Sequence, residues 1–143
     1  PNNNTIAINK PGQEISPLDS SLTPEISFNG EDNKVYTLMM IDPDPPSRSL
    51  PILKDIVHWM IVNIQGNNIK QGTLLAKYKG PGPPPFSGLH RYVFLLYEQD
   101  GLRSDNYNQS FTEMKQRMKF DTKQFIKKNN LKLIAANFYC SQN

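Results

Sequence analysis

The chain has 143 residues, of which 37% are hydrophobic and 20% charged, a composition typical of one globular domain rather than of a disordered segment. No apolar run approaches the roughly 18 residues of a membrane-spanning helix. The single cysteine, Cys140, excludes an intrachain disulfide and favours a cytoplasmic location without excluding secretion. The net charge of +3 is concentrated in residues 102–143, where eight Lys and Arg face three Asp and Glu. Because no aromatic residues alternate with these charges, we interpret them as a solvated face and expect no nucleic-acid partner.

The first 24 residues are rich in Asn, Pro, Ser and Gly and predict an irregular segment with one short edge strand at Thr5–Ile8. The chain opens at Pro1 without a signal-like apolar stretch, which is compatible with removal of an upstream piece. Beyond this segment, alternating or continuous apolar runs predict further strands. They lie at Glu25–Phe28, Val35–Ile41, Ile56–Ile64, Thr73–Leu75 and Tyr92–Tyr97.

The last third of the chain changes to helical periodicity. A capping-box pattern and spaced apolar residues predict a helix over Ser110–Lys119. A second helix is predicted to begin after Asp121, which can cap it, and to end at Asn129-Asn130, which suits a left-handed exit. Leu133–Tyr139 then predicts a closing strand. The predicted strands come first along the chain and the predicted helices only in its last third. This order indicates one mainly β domain over residues 1–143 with peripheral helices.

Polar residues interrupt three of the apolar strands. Asp42 and Asp44 follow the first in DPDPPSR, His58 lies inside IVHWMIVN, and His90 and Tyr92 begin the third. Residues two apart on a strand share a face, so His90 and Tyr92 should point the same way. By the same rule His58 should share the face of Met60 and Val62. Burying an imidazole in such surroundings is unfavourable unless it is hydrogen-bonded.

Several kinds of site fit these residues. A metal site is one, but no His-x-His or His-x-x-x-His spacing is present and we expect no metal or cofactor. A hydrolase using Ser87 and His90 is another, although no Gly-x-Ser-x-Gly motif is present. The run of prolines in GPGPPPFSGLHRY could be a polyproline ligand for a partner domain. It could also be one wall of an anion pocket, in which Gly82 permits close backbone approach and Pro83, Pro84 and Pro85 hold the loop.

The motifs DPDPPSR (Asp42–Arg48), HWMIVNI (His58–Ile64) and GPGPPPFSGLHRYVFLLYEQ (Gly80–Gln99) together resemble the phosphatidylethanolamine-binding protein family. Members include kinase-inhibitory animal proteins, a yeast carboxypeptidase inhibitor and plant flowering regulators. The resemblance covers about Glu25 to Asn143, and its last 24 residues look closest to the plant members. It implies a mainly antiparallel Greek-key β-sandwich with short peripheral helices near the C-terminus.

The resemblance also implies a site for a phosphate or phosphoethanolamine headgroup and no enzymatic activity. The implied ligand-binding residues are Asp42, His58, Gly82, Pro83, His90 and Tyr92, and the implied supporting residues are Asp44, Pro46 and Pro84. Pro46 would follow a cis peptide bond, and Arg48 would be structural. A signalling kinase is the implied partner of a soluble monomer that does not insert stably into membranes. A protease inhibitor and a scaffold subunit of a larger assembly are the alternatives.

The chain departs from the family pattern around this site. Ile56 stands where Trp or Tyr is usual at the rim, and Leu53 stands where several animal members have Tyr. Pro45 replaces a residue that is commonly Ala, Val or Tyr. An apolar rim should weaken headgroup capture or change the ligand preference. The basic region Leu102–Arg117 matches no regulatory subgroup, so the sequence does not give the sign of any regulation.

Overall fold

Six strands and two short helices make up the regular structure of residues 7–44, 55–103, 111–118 and 120–143, which the computed structural model describes. The strands are β1 (Gln13–Glu14), β2 (Val35–Asp42), β3 (Ile56–Gln65), β4 (Thr73–Ala76), β5 (His90–Glu98) and β6 (Lys132–Ser141). The helices are α1 (Met114–Arg117) and α2 (Thr122–Lys128), and a 3-10 turn covers Ile69–Gln71. No helix in these ranges is long and apolar enough to cross a bilayer.

The six strands form one mixed sheet in the order β1-β6-β5-β2-β3-β4. Four of its strand pairings are antiparallel, and the pairing of the two-residue β1 with β6 is parallel. The resemblance implied a mainly antiparallel fold, and the one parallel pairing lies at the edge of the sheet, where β1 runs in the same direction as β6. The described residues place their strands in a single sheet, so the Greek-key sandwich stays a prediction.

The sheet buries a separate apolar cluster on each face. On one side, called here the helix face, Met39, Val57, Met60 and Val62 pack with Phe111, Phe120 and Phe125 from the two helical segments. On the other side, called the site face, Leu38, Met40, Trp59, Phe94, Leu96 and Tyr139 pack beneath the irregular residues 7–28. Burial on both faces explains why β2 and β3 are almost continuously apolar rather than alternating.

The long strands were predicted correctly and the short N-terminal one was not. Val35–Ile41, Ile56–Ile64 and Tyr92–Tyr97 lie within β2, β3 and β5, and the closing strand lies within β6. The prediction of a strand at Glu25–Phe28 was wrong, because this stretch packs as irregular chain. Its apolar residues still face the core, and Phe28 meets the Tyr36 ring edge-on at 5.2 Å between centroids. Of Thr5–Ile8, only residues 7 and 8 are described, and they are not in a strand.

Both helices are shorter than predicted, and only the second one begins and ends at the predicted signals. The first occupies Met114–Arg117, and its cap is one turn later than predicted: the Gln116 amide oxygen accepts from the Glu113 backbone N–H at 2.8 Å. The second begins after Asp121, whose carboxylate accepts from the Gln124 N–H at 3.0 Å. Asn130 has the predicted left-handed conformation, with φ of 51°.

Candidate functional site

The buried pair Asp42 and His90 joins the ends of two central strands. Asp42 ends β2 and His90 begins β5, and the antiparallel pairing of these strands brings the two residues together. The His90 Nδ1–H donates to Asp42 Oδ2 at 2.9 Å, and both side chains are only about 3–4% exposed. Burial raises the pKa of Asp42, while the hydrogen bonds from His90 and from the Asp44 amide oppose that rise. The structure therefore brings these two predicted site residues together.

Asp44 supports this corner from outside. Its backbone N–H donates to Asp42 Oδ1 at 2.8 Å, which closes a turn through the intervening proline. Its carboxylate accepts from the Arg91 backbone N–H at 2.7 Å and from the Arg91 guanidinium at 2.8 Å. Burial alone would raise the pKa of Asp44, but the hydrogen bonds from Arg91 bring it below its ordinary value. Asp44 therefore links Arg91, the residue after His90, to Asp42, which orients the His90 ring.

His58 reaches the site face because β3 contains a bulge. The register with β2 shifts between Met40 and Ile41, so Val57 pairs with Ile41 while Trp59 pairs with Met40. His58, which lies between them, is the extra residue of the bulge, so that His58 and Trp59 both face the site side of the sheet. The prediction that His58 shares a face with Met60 and Val62 was wrong, since those two lie in the helix-face cluster. Simple alternation does not hold across a bulge.

One nitrogen of His58 is committed to the backbone. Nδ1 lies 2.6 Å from the carbonyl oxygen of Lys79, and the Lys79 N–H donates back to the His58 carbonyl at 2.8 Å. A carbonyl can only accept, so Nδ1 carries the proton and Nε2 is the free nitrogen. Burial lowers the pKa of His58, and the positive charge of Arg117 lowers it further. His58 is therefore neutral at pH 7 and presents Nε2 as an acceptor.

The proline-rich loop is anchored to both histidines. It begins after Lys79, which pairs with His58, and it ends at Ser87, whose hydroxyl lies 2.9 Å from His90 Nε2. Ser87 also donates to the carbonyl of Pro84, from its hydroxyl at 2.6 Å and from its N–H at 3.2 Å. Residues 80–86 thus span the distance between the histidines as a loop with few free torsions.

Inside this loop, buried and open positions alternate. Pro81 and Pro83 are buried, whereas Gly82 and Pro84 are exposed. A Cβ built on Gly82 would meet no atom of the described residues within 4 Å, and its φ lies outside the left-handed range. The described part of the chain therefore gives no steric reason for glycine at this position. Close approach of a ligand to the backbone would give one.

Tyr92 packs between the two halves of the site. It is 1% exposed, its ring meets His58 edge-on at 5.2 Å, and its ring lies nearly parallel to that of His90 at 6.4 Å. On the same face it stacks on Tyr139 at 5.6 Å. Burial, followed by the charges of Asp42 and Asp44, raises the pKa of Tyr92. The hydroxyl therefore remains protonated, and the ring holds both imidazoles in a fixed arrangement.

Arg117 borders the site and was missed from the sequence, where it was counted only as part of the basic region Leu102–Arg117. It is 8% exposed, and its guanidinium donates only to carbonyl oxygens in the described structure. These are the carbonyls of Phe111, Val57, His58 and Lys77, at 2.8 to 3.2 Å. It thereby fastens α1 to the bulge that presents His58. A lone arginine among lysines gives no sequence signal of this role, because the carbonyls it satisfies are distant along the chain.

Some predicted site residues lie outside the described residues, namely Pro46 with its peptide bond, Pro45, Arg48 and Leu53. Ile56 is described: it is half-buried at the start of β3, and its Cα pairs with that of Asp42. It therefore borders the cluster, as the rim prediction requires. Within the described ranges, no three His, Cys, Asp or Glu side chains converge in a way that could hold a metal ion.

Comparison with known proteins places this geometry in a family. A family model described as phosphatidylethanolamine-binding protein matches residues 1–139. A Drosophila melanogaster protein named "Putative odorant-binding protein A5" is 33% identical over 141 residues, which cover 97% of this chain and 67% of the relative.

Solved structures agree with this assignment. A carboxypeptidase Y inhibitor, solved in complex with its cognate proteinase, superposes with a TM-score of 0.75 at 25% identity, covering 92% of this chain and 76% of the inhibitor. A phosphatidylethanolamine-binding protein from Plasmodium vivax superposes with a TM-score of 0.67 at 24% identity, covering 92% of this chain and 78% of that protein. The second similarity concerns the fold alone.

Replacing Arg117 by methionine should destabilise the protein and alter the titration of His58. Four carbonyls would lose a charged donor, and we expect the free energy of unfolding to fall by about 3 kcal/mol in urea denaturation. The matched control Lys115→Met removes an exposed charge from the same helix and should change it by less than about 0.5 kcal/mol. Removing the Arg117 charge should also raise the pKa of His58, measured by NMR. Equal stability of the two variants would contradict this role.

Proposed function

Because the chain belongs to the phosphatidylethanolamine-binding protein family, we propose that it is a non-enzymatic binding protein whose Asp42–His58–His90 cluster takes a phosphate or phosphoethanolamine-type group. The observation that carries this proposal is the pair of imidazoles held by Tyr92 on one face, each with Nδ1 committed to a fixed acceptor. Of the remaining nitrogens, His58 Nε2 is unprotonated, and His90 Nε2 lies 2.9 Å from the Ser87 hydroxyl. That hydroxyl can give its hydrogen to the Pro84 carbonyl instead, which would leave His90 Nε2 for a ligand. The ligand set is the predicted one: Asp42, His58, Gly82, Pro83, His90 and Tyr92, with Asp44, Pro46 and Pro84 as support.

The hydrogen-bond directions determine how such a cluster binds an anion. In the neutral site both Nε2 atoms are acceptors, and an anion needs donors. Protonation of His58 or His90 converts Nε2 into a charged donor, which forms stronger bonds to phosphate oxygens than a neutral group does. The carboxylate of Asp42 stabilises a protonated His90 from the opposite side of the ring. Anion binding should therefore take up a proton.

The names of the relatives support binding rather than catalysis. They describe an odorant-binding protein and an inhibitor in complex with a proteinase, and the family itself is described as phosphatidylethanolamine-binding. We propose that occupancy of the anion site changes how the loops around it meet a protein partner, such as a signalling kinase in the cytoplasm. The partner would contact Ile56 and the exposed part of residues 82–89, since these border the cluster.

Sulfate affinity should rise as the pH falls. Sulfate keeps its charge between pH 5 and 8, so any change in its affinity over this range reflects protonation of the protein. Binding coupled to one proton should strengthen by up to about tenfold per pH unit above the folded pKa of the histidine involved. Because the unliganded pKa of His58 lies below its ordinary value of about 6.5, the bound anion should raise it. The chain has only two histidines, His58 and His90, so NMR can follow the protonation of each ring separately.

Variants identify the groups responsible for this binding. His58→Ala and His90→Ala should each weaken sulfate and phosphoethanolamine binding at least tenfold in calorimetry, while thermal melts verify folding. Lys132→Ala, at the opposite end of β5 and β6 from His90, is the matched control and should leave affinity unchanged. Unchanged affinity in both histidine variants, or an affinity independent of pH, would refute the anion site.

Gly82→Ala tests whether the loop backbone touches the ligand. An added Cβ meets no protein atom, so stability should change by less than about 0.5 kcal/mol. If the ligand lies against the backbone, the methyl group should reduce phosphoethanolamine affinity about tenfold or more. Pro84→Ala, at an exposed position of the same loop, should have a smaller effect on affinity. Full affinity in Gly82→Ala would remove this residue from the binding set.

A hydrolase is the alternative that the site geometry itself raises. Ser87, His90 and Asp42 form a line of hydrogen bonds like that of a serine nucleophile with its base and carboxylate. However, Ser87 has one hydroxyl hydrogen, and the Pro84 carbonyl competes for it at 2.6 Å. We predict no turnover of p-nitrophenyl acetate or p-nitrophenyl phosphate above buffer. Turnover that disappears in Ser87→Ala would overturn the non-enzymatic proposal.

Protease inhibition is the second candidate function, favoured by the similarity to the carboxypeptidase Y inhibitor at a TM-score of 0.75. A direct assay against serine carboxypeptidases distinguishes it from the leading proposal. Inhibition that persists in His58→Ala and His90→Ala would indicate a surface separate from the anion site. Inhibition that is lost in both variants and in the presence of saturating phosphoethanolamine would indicate that the anion site forms part of the inhibitory surface.

A further inference from the structure

A groove of about 790 Å³ lies on the site face, apart from the histidine cluster. Its floor is formed by the sheet residues Leu38, Phe94 and Leu96, and its far side by apolar residues of the irregular segment 7–28, among them Ile15, Ile26 and Phe28. Small-molecule sites are typically clefts of roughly 300–1,000 Å³ with mainly apolar walls and a few polar groups. The groove has these dimensions and this lining.

One buried polar group in the groove lacks a partner. Tyr139 is 3% exposed, and its hydroxyl makes no hydrogen bond with any described residue. Tyr78 and Ser20 also line the groove and lie beside this hydroxyl, but neither makes a hydrogen bond of ordinary length and angle with it. The Tyr78 hydroxyl gives its hydrogen to the Ser20 carbonyl at 2.5 Å, so towards Tyr139 it can act only as an acceptor. Buried hydroxyls are normally paired, so the Tyr139 hydrogen is available to a better-placed acceptor in the groove.

The charges around the groove restrict what it can hold. Asp19 and Glu25 are its only charged lining residues among those described, and both are acidic. A carboxylate or phosphate ligand would be repelled, and nothing there would neutralise it. A neutral molecule avoids this cost and buries apolar surface against the sheet.

We propose that this groove binds a neutral, mainly apolar small molecule with one hydrogen-bond acceptor, such as a medium-chain alcohol, ketone or ester, which accepts from the Tyr139 hydroxyl. The proposal does not rest on the anion site. The two sites share the aromatic stack in which Tyr139 packs against Tyr92, yet they take ligands of opposite character.

Pyrene is a suitable probe because it is apolar, makes no hydrogen bonds and changes its emission on leaving water. We expect it to bind and to be displaced by dodecan-1-ol, with dodecanoate at least tenfold weaker and inorganic phosphate without effect. Ala136→Trp should reduce pyrene affinity at least tenfold, because Ala136 is exposed and lines the groove. Leu133→Trp is the control: Leu133 is exposed on the same strand but does not line the groove.

Tyr139→Phe tests the polar anchor separately from the shape of the groove. Loss of one neutral hydrogen bond should weaken dodecan-1-ol about fivefold and leave pyrene affinity unchanged. An equal loss of affinity for dodecan-1-ol and for pyrene would contradict a hydrogen bond from the Tyr139 hydroxyl to the alcohol. Failure of pyrene to bind, binding unaffected by Ala136→Trp, or a dimer in light scattering that excludes the probe would overturn the proposal. In the last case a polypeptide segment would occupy the groove.

Discussion

The candidate site depends on one buried hydrogen bond, from the His90 imidazole to the carboxylate of Asp42. A buried pair of this kind is not a strong source of stability, because both groups give up their hydration to form it. Its effect here is geometric. It fixes the end of β2 against the start of β5 and commits one nitrogen of His90, which leaves the other nitrogen facing the proline-rich loop. The turn through Asp44 and its contact with Arg91 then hold the pair from outside.

The proline-rich loop completes the site because both of its ends are attached to imidazoles. A loop with this many prolines loses little entropy on ordering, and the contacts at Lys79 and Ser87 set where it lies. Arg117 has the matching role beneath His58, where it satisfies carbonyls that the bulge takes out of regular pairing. Rigid support around two imidazoles suits the proposed anion site, because the rings are already held in position before a ligand binds.

The same face of the sheet offers two chemically distinct environments. At one end the strands finish in acidic and imidazole groups, and further along β5 the side chains become Phe94 and Leu96. Period-two alternation places His90, Tyr92, Phe94 and Leu96 of β5 on one face, and the bulge in β3 adds His58 to it. The chain can therefore present a polar cluster and an apolar groove side by side with the single aromatic stack of Tyr92 and Tyr139 between them.

Much of the architecture was predictable from local patterns. Long apolar runs identified β2, β3, β5 and β6, and the capping residue Asp121 located the start of α2. Failures occurred where local signals compete with packing. Glu25–Phe28 alternates like a strand but pairs with none of the strands in the described residues, and it packs against the core as irregular chain. The parallel pairing of β1 could not be predicted either, since two residues carry almost no pattern.

The sequence by itself determined which residues are candidates for the site, because DPDPPSR, His58 and GPGPPPFSGLHRY combine stiff loops with polar groups beside apolar strands. Only the tertiary structure decided how those groups are used. A bulge turned His58 to the face opposite that predicted by alternation, and the Lys79 carbonyl decided which of its nitrogens is free. Arg117 and the Tyr139 hydroxyl acquired their significance in the same way. Hydrogen-bond partners distant in sequence are set by strand register and burial, and neither is encoded in the residues next to them.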